Sequence, residues 1–328
     1  MSTVKRWFWA VILLISVIMY LTGGIKEVQS EEKFPTRSID LIVPFAPGAA
    51  TDLTARVMSA SLEKKWGIRI DVVNKSGGNS VPANLELYKA APDGYTMMLD
   101  SQSSCSMLEV AIKDLPFDVL ARSFVALVSG CPYVVIVAAN SPIQKLEDLA
   151  KEAKRDPETF TWGSLGGAGM QDFGARQFLK AIGVDVKKTK PIMAKGGAPL
   201  VTLTAGGHLK MGASTSIGVL PAYKAGTVRA LAQTGRSRHP DFPETPTFEE
   251  LGYPTVTCYF WTGVSGPPNL PSYIVKKWNE GLQEIFKDPE FISRLKKVGG
   301  VPFYKNDRET KEYALKEMEE VKILWGVK

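Results

Sequence analysis

The chain has 328 residues, 40 Lys and Arg against 34 Asp and Glu, a net charge of +6, two His, three Cys and 45% hydrophobic residues. That apolar content excludes a disordered chain, and the mild positive excess, with no Lys/Arg block interleaved with aromatics, gives no nucleic-acid footprint. Cys105, Cys131 and Cys258 are far apart and form no C-x-x-C, so neither a zinc site nor a redox motif is expected, while pairing of any two of them stays open.

The chain opens with Lys5 and Arg6, an apolar run from Trp7 to Leu21, and small and polar residues up to Ser30. Those are the marks of a secretory signal over residues 1–30. The run is shorter than the roughly 20 residues a membrane-spanning helix needs, and an uncleaved anchor is the alternative. No later stretch is long and apolar enough to span a bilayer, so an exported, soluble mature chain is expected. Its length favours two domains.

Strands and helices then alternate. Ser38–Phe45 reads as a strand, Thr51–Trp66 as a helix, Ile68–Val73 as a strand, Val81–Ala90 as a helix and Tyr95–Leu99 as a strand. This β-α-β-α-β order implies a parallel sheet covered by helices. A long β run, Val125–Ala139, leads through the amphipathic helix Lys145–Lys154 into a second series. That series holds strands at Phe160–Gly163, Pro191–Ala194, Leu209–Ala213 and Val228–Ala232, and helices at Asp172–Ile182 and Ala198–Ala205. An aromatic-rich strand, Val256–Val264, and three helices complete the chain. The pattern predicts an α/β protein of two similar units with a cleft between them. Val134–Val137 and Phe260–Val264 are the expected crossings, giving a discontinuous first domain, 31–133 with 262–328, around a second, 134–261.

In open α/β sheets ligands bind beyond the carboxyl ends of strands, near helix N-termini. Two Gly/Ala-rich turns occupy that position, Phe45–Asp52 and Trp162–Asp172. Small residues let a ligand approach the backbone, and N–H groups at a helix start attract a carboxylate. Neither turn has nucleotide-binding spacing, and no H-E-x-x-H or G-x-S-x-G is present. Asp52 reads as a helix cap or a ligand contact, and Lys195, in a third strand-to-helix turn, as a positive charge near an anion. Trp162 and Trp261 read as cleft neighbours or core. The composition suggests binding without catalysis, metal or cofactor.

The stretches Ile39–Gly48 with Asp52 and Ala55-Arg56, Ala90–Thr96, Lys195–Pro199 and Tyr223–Ala232 together resemble the extracytoplasmic receptors of tripartite tricarboxylate transporters, the Bug or TctC-like family. The resemblance covers the chain from about Phe34 onward. It implies a type II periplasmic binding protein fold and a monomeric receptor that delivers a small organic anion, a carboxylate, to membrane transporter subunits. Presentation of a ligand to a sensor kinase and an exported enzyme on the same fold are the alternatives. By position, the resemblance places Ala46, Gly48, Ala49 and Asp52 on one wall and Ser164, Gly166, Ala168 and Gly169 on the other, with Lys195 and Thr215 nearby. This chain departs from the family pattern at Ala49, at Gly169–Phe173, at Ala194 and at Gly212–Thr215. Those changes lead us to expect a less polar distal pocket.

Overall fold

Residues 33–167, 169–194 and 196–327 are described by a computed structural model of the protein. The expected signal, 1–30, lies outside them. The chain partitions into two units, 1–36 and 37–328, and the account below concerns the second.

Strands β1 (Ile39–Val43), β2 (Ile70–Asn74) and β3 (Thr96–Ser101) pair in parallel in the order β2-β1-β3, linked by helices α1 (Ala50–Trp66) and α2 (Val81–Lys89). Helix α1 stops at Gly67, whose φ of 69° is open to glycine at little cost, after Lys64 and Lys65 have placed positive charge on its C-terminal carbonyls. On the face that Ile42 and Met98 present, Ala83 and Leu87 of α2 pack. A short helix, α3 (Leu108–Ala111), follows β3.

Strand β4 (Ser123–Ala138) is the spine. Its first half, up to Pro132, pairs antiparallel with β9 (Tyr259–Gly266) and with β10 (Val301–Lys305). From Tyr133 onward it pairs instead with β7 (Gly212–Thr215) and β8 (Val228–Gln233). Its apolar run lacks polar alternation because both faces are covered. Val135 and Val137 join one core with Phe160, Trp162 and Phe178, while Val134 and Ile136 join another with Val201, Val219 and Phe242. β9 also pairs antiparallel with β3, which completes the order β10-β4-β9-β3-β1-β2.

The second half of β4 carries the second lobe. Helix α4 (Leu146–Arg155) leads to β5 (Thr161–Ser164), which runs parallel to β6 (Lys190–Met193) and beside the approach to β7, with Met211 N donating to Thr161 O and Gly163 N to Met211 O, each at 3.1 Å. Helices α5 (Met170–Ala181), α6 (Gly197–Ala205) and α7 (Ser216–Lys224) follow β5, β6 and β7 in turn. The chain ends with α8 (Ser272–Ile285), α9 (Pro289–Lys297) and α10 (Asp307–Trp325). A reciprocal cap between Asn306 and Glu309 starts α10.

Three expectations change. Phe260–Val264 does not cross between lobes: from Tyr259 onward β9 lies wholly in the first sheet. Val256–Cys258 is not strand, and β9 runs on to Gly266. Finally, β10 and α7 are elements that the apolar pattern did not reveal. Among the described residues no helix is long and apolar enough to cross a membrane.

Candidate functional site

Strand directions locate the site. β3 runs parallel to the first half of β4, and its carboxyl end reaches the middle of that strand through Ser101↔Thr262 and Thr262↔Ser129. β7 runs the opposite way and ends at Thr215↔Tyr133. β1 and β2 share the direction of β3, while β5, bridged in parallel at Trp162↔Met211, shares that of β7. The carboxyl ends of both sets therefore point from opposite sides toward Pro132 and Tyr133, where open α/β sheets bind ligands.

The first wall is the turn from Pro44 to Ala49. Ala49 N donates to Ala46 O at 3.2 Å, and Gly48 sits at φ +82°. Asp52 is buried beneath it. Its Oδ2 accepts from Gly48 N at 2.8 Å and Arg56 Nε at 3.1 Å, and its Oδ1 accepts from Asn74 Nδ2 at 2.9 Å and pairs with Arg56 at 3.0 Å. Asn74 Nδ2 also donates to Phe45 O at 3.0 Å. Burial raises the carboxyl pKa of Asp52, but the bonds from Arg56, Gly48 and Asn74 outweigh it and leave the pKa below its ordinary value. Asp52 is not a helix cap: Ala49 is the N-cap residue of α1 and contributes no side-chain bond.

The second wall repeats this plan. Ser164 Oγ donates to Asp172 Oδ1 at 2.5 Å and accepts from Gly166 N at 3.0 Å. Leu165 N and Gly167 N donate to Asp172 at 2.9 and 3.2 Å. Gly166 and Gly167 have φ of +90° and +101°. Gly169 is the N-cap residue of α5, again without a side-chain bond, and a Cβ there would lie 2.6 Å from Leu165 Cδ1. Burial pushes the Asp172 carboxyl up, against the pull of Ser164 and the backbone donors. Each wall thus has a glycine turn, an Asp at the third position of the next helix and an Arg four residues on: Asp52-Leu53-Thr54-Ala55-Arg56 and Asp172-Phe173-Gly174-Ala175-Arg176. That repeat is visible in the sequence and was the unread signal for both aspartates.

These bonds revise the chemistry expected of the turns. The N–H groups of Gly48, Leu165, Gly166 and Gly167 face buried side chains. The first turns of α1, α5 and α6 carry N–H groups that no side chain caps: Ala49, Gly169 and Gly196 bring no side-chain bond. Ala46 is exposed beside them. Thr215 Oγ1 accepts from Gly218 N at 3.1 Å and so caps α7. Ala168 and Lys195 lie outside the described residues.

Two further polar residues belong to the second lobe's floor. Gln171 Nε2 reaches Ser214 Oγ at 3.4 Å, both residues being buried. Ser214 Oγ lies 2.4 and 2.8 Å from where a Cβ would stand on Gly197 and Gly218, so the starts of α5, α6 and α7 meet around it. Met193, 74% exposed at the end of β6, stands beside Gly166 as an apolar rim.

Trp162 and Trp261 belong to the core: both are buried, with Trp162 Nε1 donating to Thr189 and Trp261 Nε1 to Glu317, each at 2.8 Å. Glu317 of α10 also accepts from Ser106 Oγ and from Gln102 Nε2, and burial pushes its carboxyl up to about 7. Asp100 at the end of β3 pairs with the buried Arg122 at 2.5 Å, and Arg122 in turn binds Asn84 at 2.7 Å. The three cysteines are buried free thiols. Among the described residues no group of three or more His, Cys, Asp or Glu could hold a metal ion.

Two α/β lobes strung on one shared strand, with helices starting at the carboxyl ends of strands from both sides, define the type II periplasmic binding protein fold. Residues 54–325 match the model of the tripartite tricarboxylate transporter family receptor, and the chain belongs to that family. Protein BugT of Bordetella pertussis is 27% identical over 311 residues, covering 94% of each chain. A solved structure described as a periplasmic transporter superposes with a TM-score of 0.76 at 27% identity, covering 89% of this chain and 97% of the other. Rpa4515 of R. palustris, solved with adipate, superposes at 0.77 with 24% identity, covering 90% and 99%, and so shares the fold.

Proposed function

We propose that this chain is an exported receptor that captures a small organic anion, a carboxylate, outside the cytoplasm and hands it to the membrane subunits of a tripartite tricarboxylate-type transporter. One observation carries the reading: α1, α5 and α6 start without side-chain caps at the carboxyl ends of strands that converge from two lobes. Partial positive charge from several helix starts, beside glycine and alanine turns that admit the backbone closely, suits a carboxylate. The adipate held by a protein of the same fold agrees with that chemistry.

In this reading residues 1–30 direct export. The lobes are 37–132 with 259–327 and 133–258, bounds that the pairing of β4 and β9 supports, the chain acts as a monomer, and it catalyses nothing. Ala46, Ala49 and Gly169 line the cleft through backbone, while Asp52, Asp172 and Ser164 hold the walls in shape. Gln171 and Ser214 supply polar contacts deeper in the second lobe, and Met193 makes the rim less polar.

A thermal-shift screen against mono-, di- and tricarboxylates, with sugars and cations alongside, tests the reading. A carboxylate at about 100 times its Kd stabilises by about 2.7 kcal/mol and raises Tm. Stabilisation by a sugar or a cation and by no organic anion would refute it.

A further inference from the structure

The two walls have the same Asp and Arg but are secured differently. In the first wall, Arg56 closes directly on Asp52 and also reaches Asn74 Oδ1 at 3.1 Å, so every partner is in its own lobe. In the second, the Arg176 guanidinium lies over the Trp325 ring at 4.4 Å, and its Nη1 donates to Leu324 O at 3.5 Å. Its buried Nε has no hydrogen-bond partner among the described residues. Arg176 lies one helical turn from Asp172 and its charge draws that carboxyl's pKa down against burial, while the contacts that hold the guanidinium come from the last turn of α10.

That turn also touches the wall directly. Trp325 packs on Phe173 with ring centroids 6.5 Å apart, and its Nε1 is 3.8 Å from where a Cβ on Gly167 would stand. Yet α10 is anchored in the first lobe: Thr310 Oγ1 accepts from Leu127 N at 2.9 Å, and Glu317 holds Trp261, Gln102 and Ser106. One helix thus joins the floor beneath β3 to the glycine turn of the opposite lobe.

We propose that Arg176 and Trp325 are positioning residues for the second wall: the end of α10 sets Arg176, whose charge steadies Asp172, which in turn holds Leu165, Gly167 and Ser164. This deepens the anion-receptor reading and rests on it for its functional meaning, but its geometry can be tested without a ligand. A cation–π contact between an Arg and a Trp is stronger in a partly buried site than on the surface, and segments open locally with free energies below the global one.

The test is deuterium uptake by the ligand-free full chain. Trp325→Ala and Arg176→Ala should each speed exchange over residues 164–172 by about tenfold, which corresponds to about 1.4 kcal/mol of local stability. Exchange over 45–53 should stay at the wild-type rate, and Trp325→Phe should restore protection. Unchanged exchange over 164–172 in both alanine variants overturns the proposal. So does faster exchange spread evenly over 45–53 and 164–172, because it makes Trp325 a general stabiliser. If the local pattern holds but no organic anion binds the wild-type chain, the brace stands and the receptor reading fails.

Discussion

At the scale of single residues, the site depends on two carboxylates that face inward. Asp52 and Asp172 each satisfy backbone donors that a glycine turn would otherwise leave buried or badly aimed. Removing such an acceptor strands its donors, and each stranded group costs roughly 1–3 kcal/mol. Asp52→Ala takes the acceptor from Gly48 N and one acceptor each from Asn74 and Arg56, which keep Phe45 O and Asn74 Oδ1, so urea denaturation should show a loss of about 1–3 kcal/mol, with carboxylate affinity lowered more than about tenfold. Gly48 gives a milder test. It has open space around it but a φ of +82°, so Gly48→Val strains the backbone without a clash, while Gly169→Val drives a side chain into Leu165. Calorimetric titration of a bound carboxylate should show weaker binding in both, with a larger drop in Tm for Gly169→Val. The turns themselves were legible in the sequence from their glycines and their place between strand and helix. The direction of their N–H groups was not, because it depends on an Asp four to seven residues downstream turning back.

At the scale of elements, β4 shows what an apolar run conveys and what it withholds. Its apolar length announced a long strand, and the structure buries it on both faces. The change of partners at Pro132 and Tyr133 leaves no trace in hydropathy, since both halves are equally apolar. β10 was missed because Val301–Lys305 is half-buried throughout and carries Pro302 and Lys305, a composition that also suits a loop. α7 was missed because Pro221 lies inside it and its capping Thr215 sits in a strand. For α10, the telling group is Glu317. Burial lifts its carboxyl from the ordinary 4.5 to about 7. Below pH 4.5 the group is protonated in both folded and unfolded chains. Between 4.5 and 7 the folded chain keeps a proton that the unfolded chain has lost, so stability falls as pH rises across that window and then levels off. At 1.36 kcal/mol per pKa unit the fall is on the order of 3 kcal/mol. Glu317→Gln should flatten this slope in denaturant titrations run at a series of pH values.

At the scale of the whole molecule, the sequence supported two α/β series and a cleft, because strand-helix alternation is written in hydrophobic periodicity. It did not show how strands from distant parts of the chain share β4. That sharing makes the strand ends converge and lets α10 hold both lobes. In the proposed reading the anion contact lies at the first turns of α1, α5 and α6 and not at the N–H groups of Gly48, Leu165, Gly166 and Gly167, which bond to buried side chains. Amide resonances therefore test the central claim most directly, in a titration of the isotopically labelled protein with the carboxylate that stabilises it most. Saturable shifts should cluster at Ala50, Thr51, Met170 and Gln171, with Gly48 and Gly167 moving little. Saturable shifts confined to other surfaces, or an absence of any saturable shift with every carboxylate tried, would contradict the account.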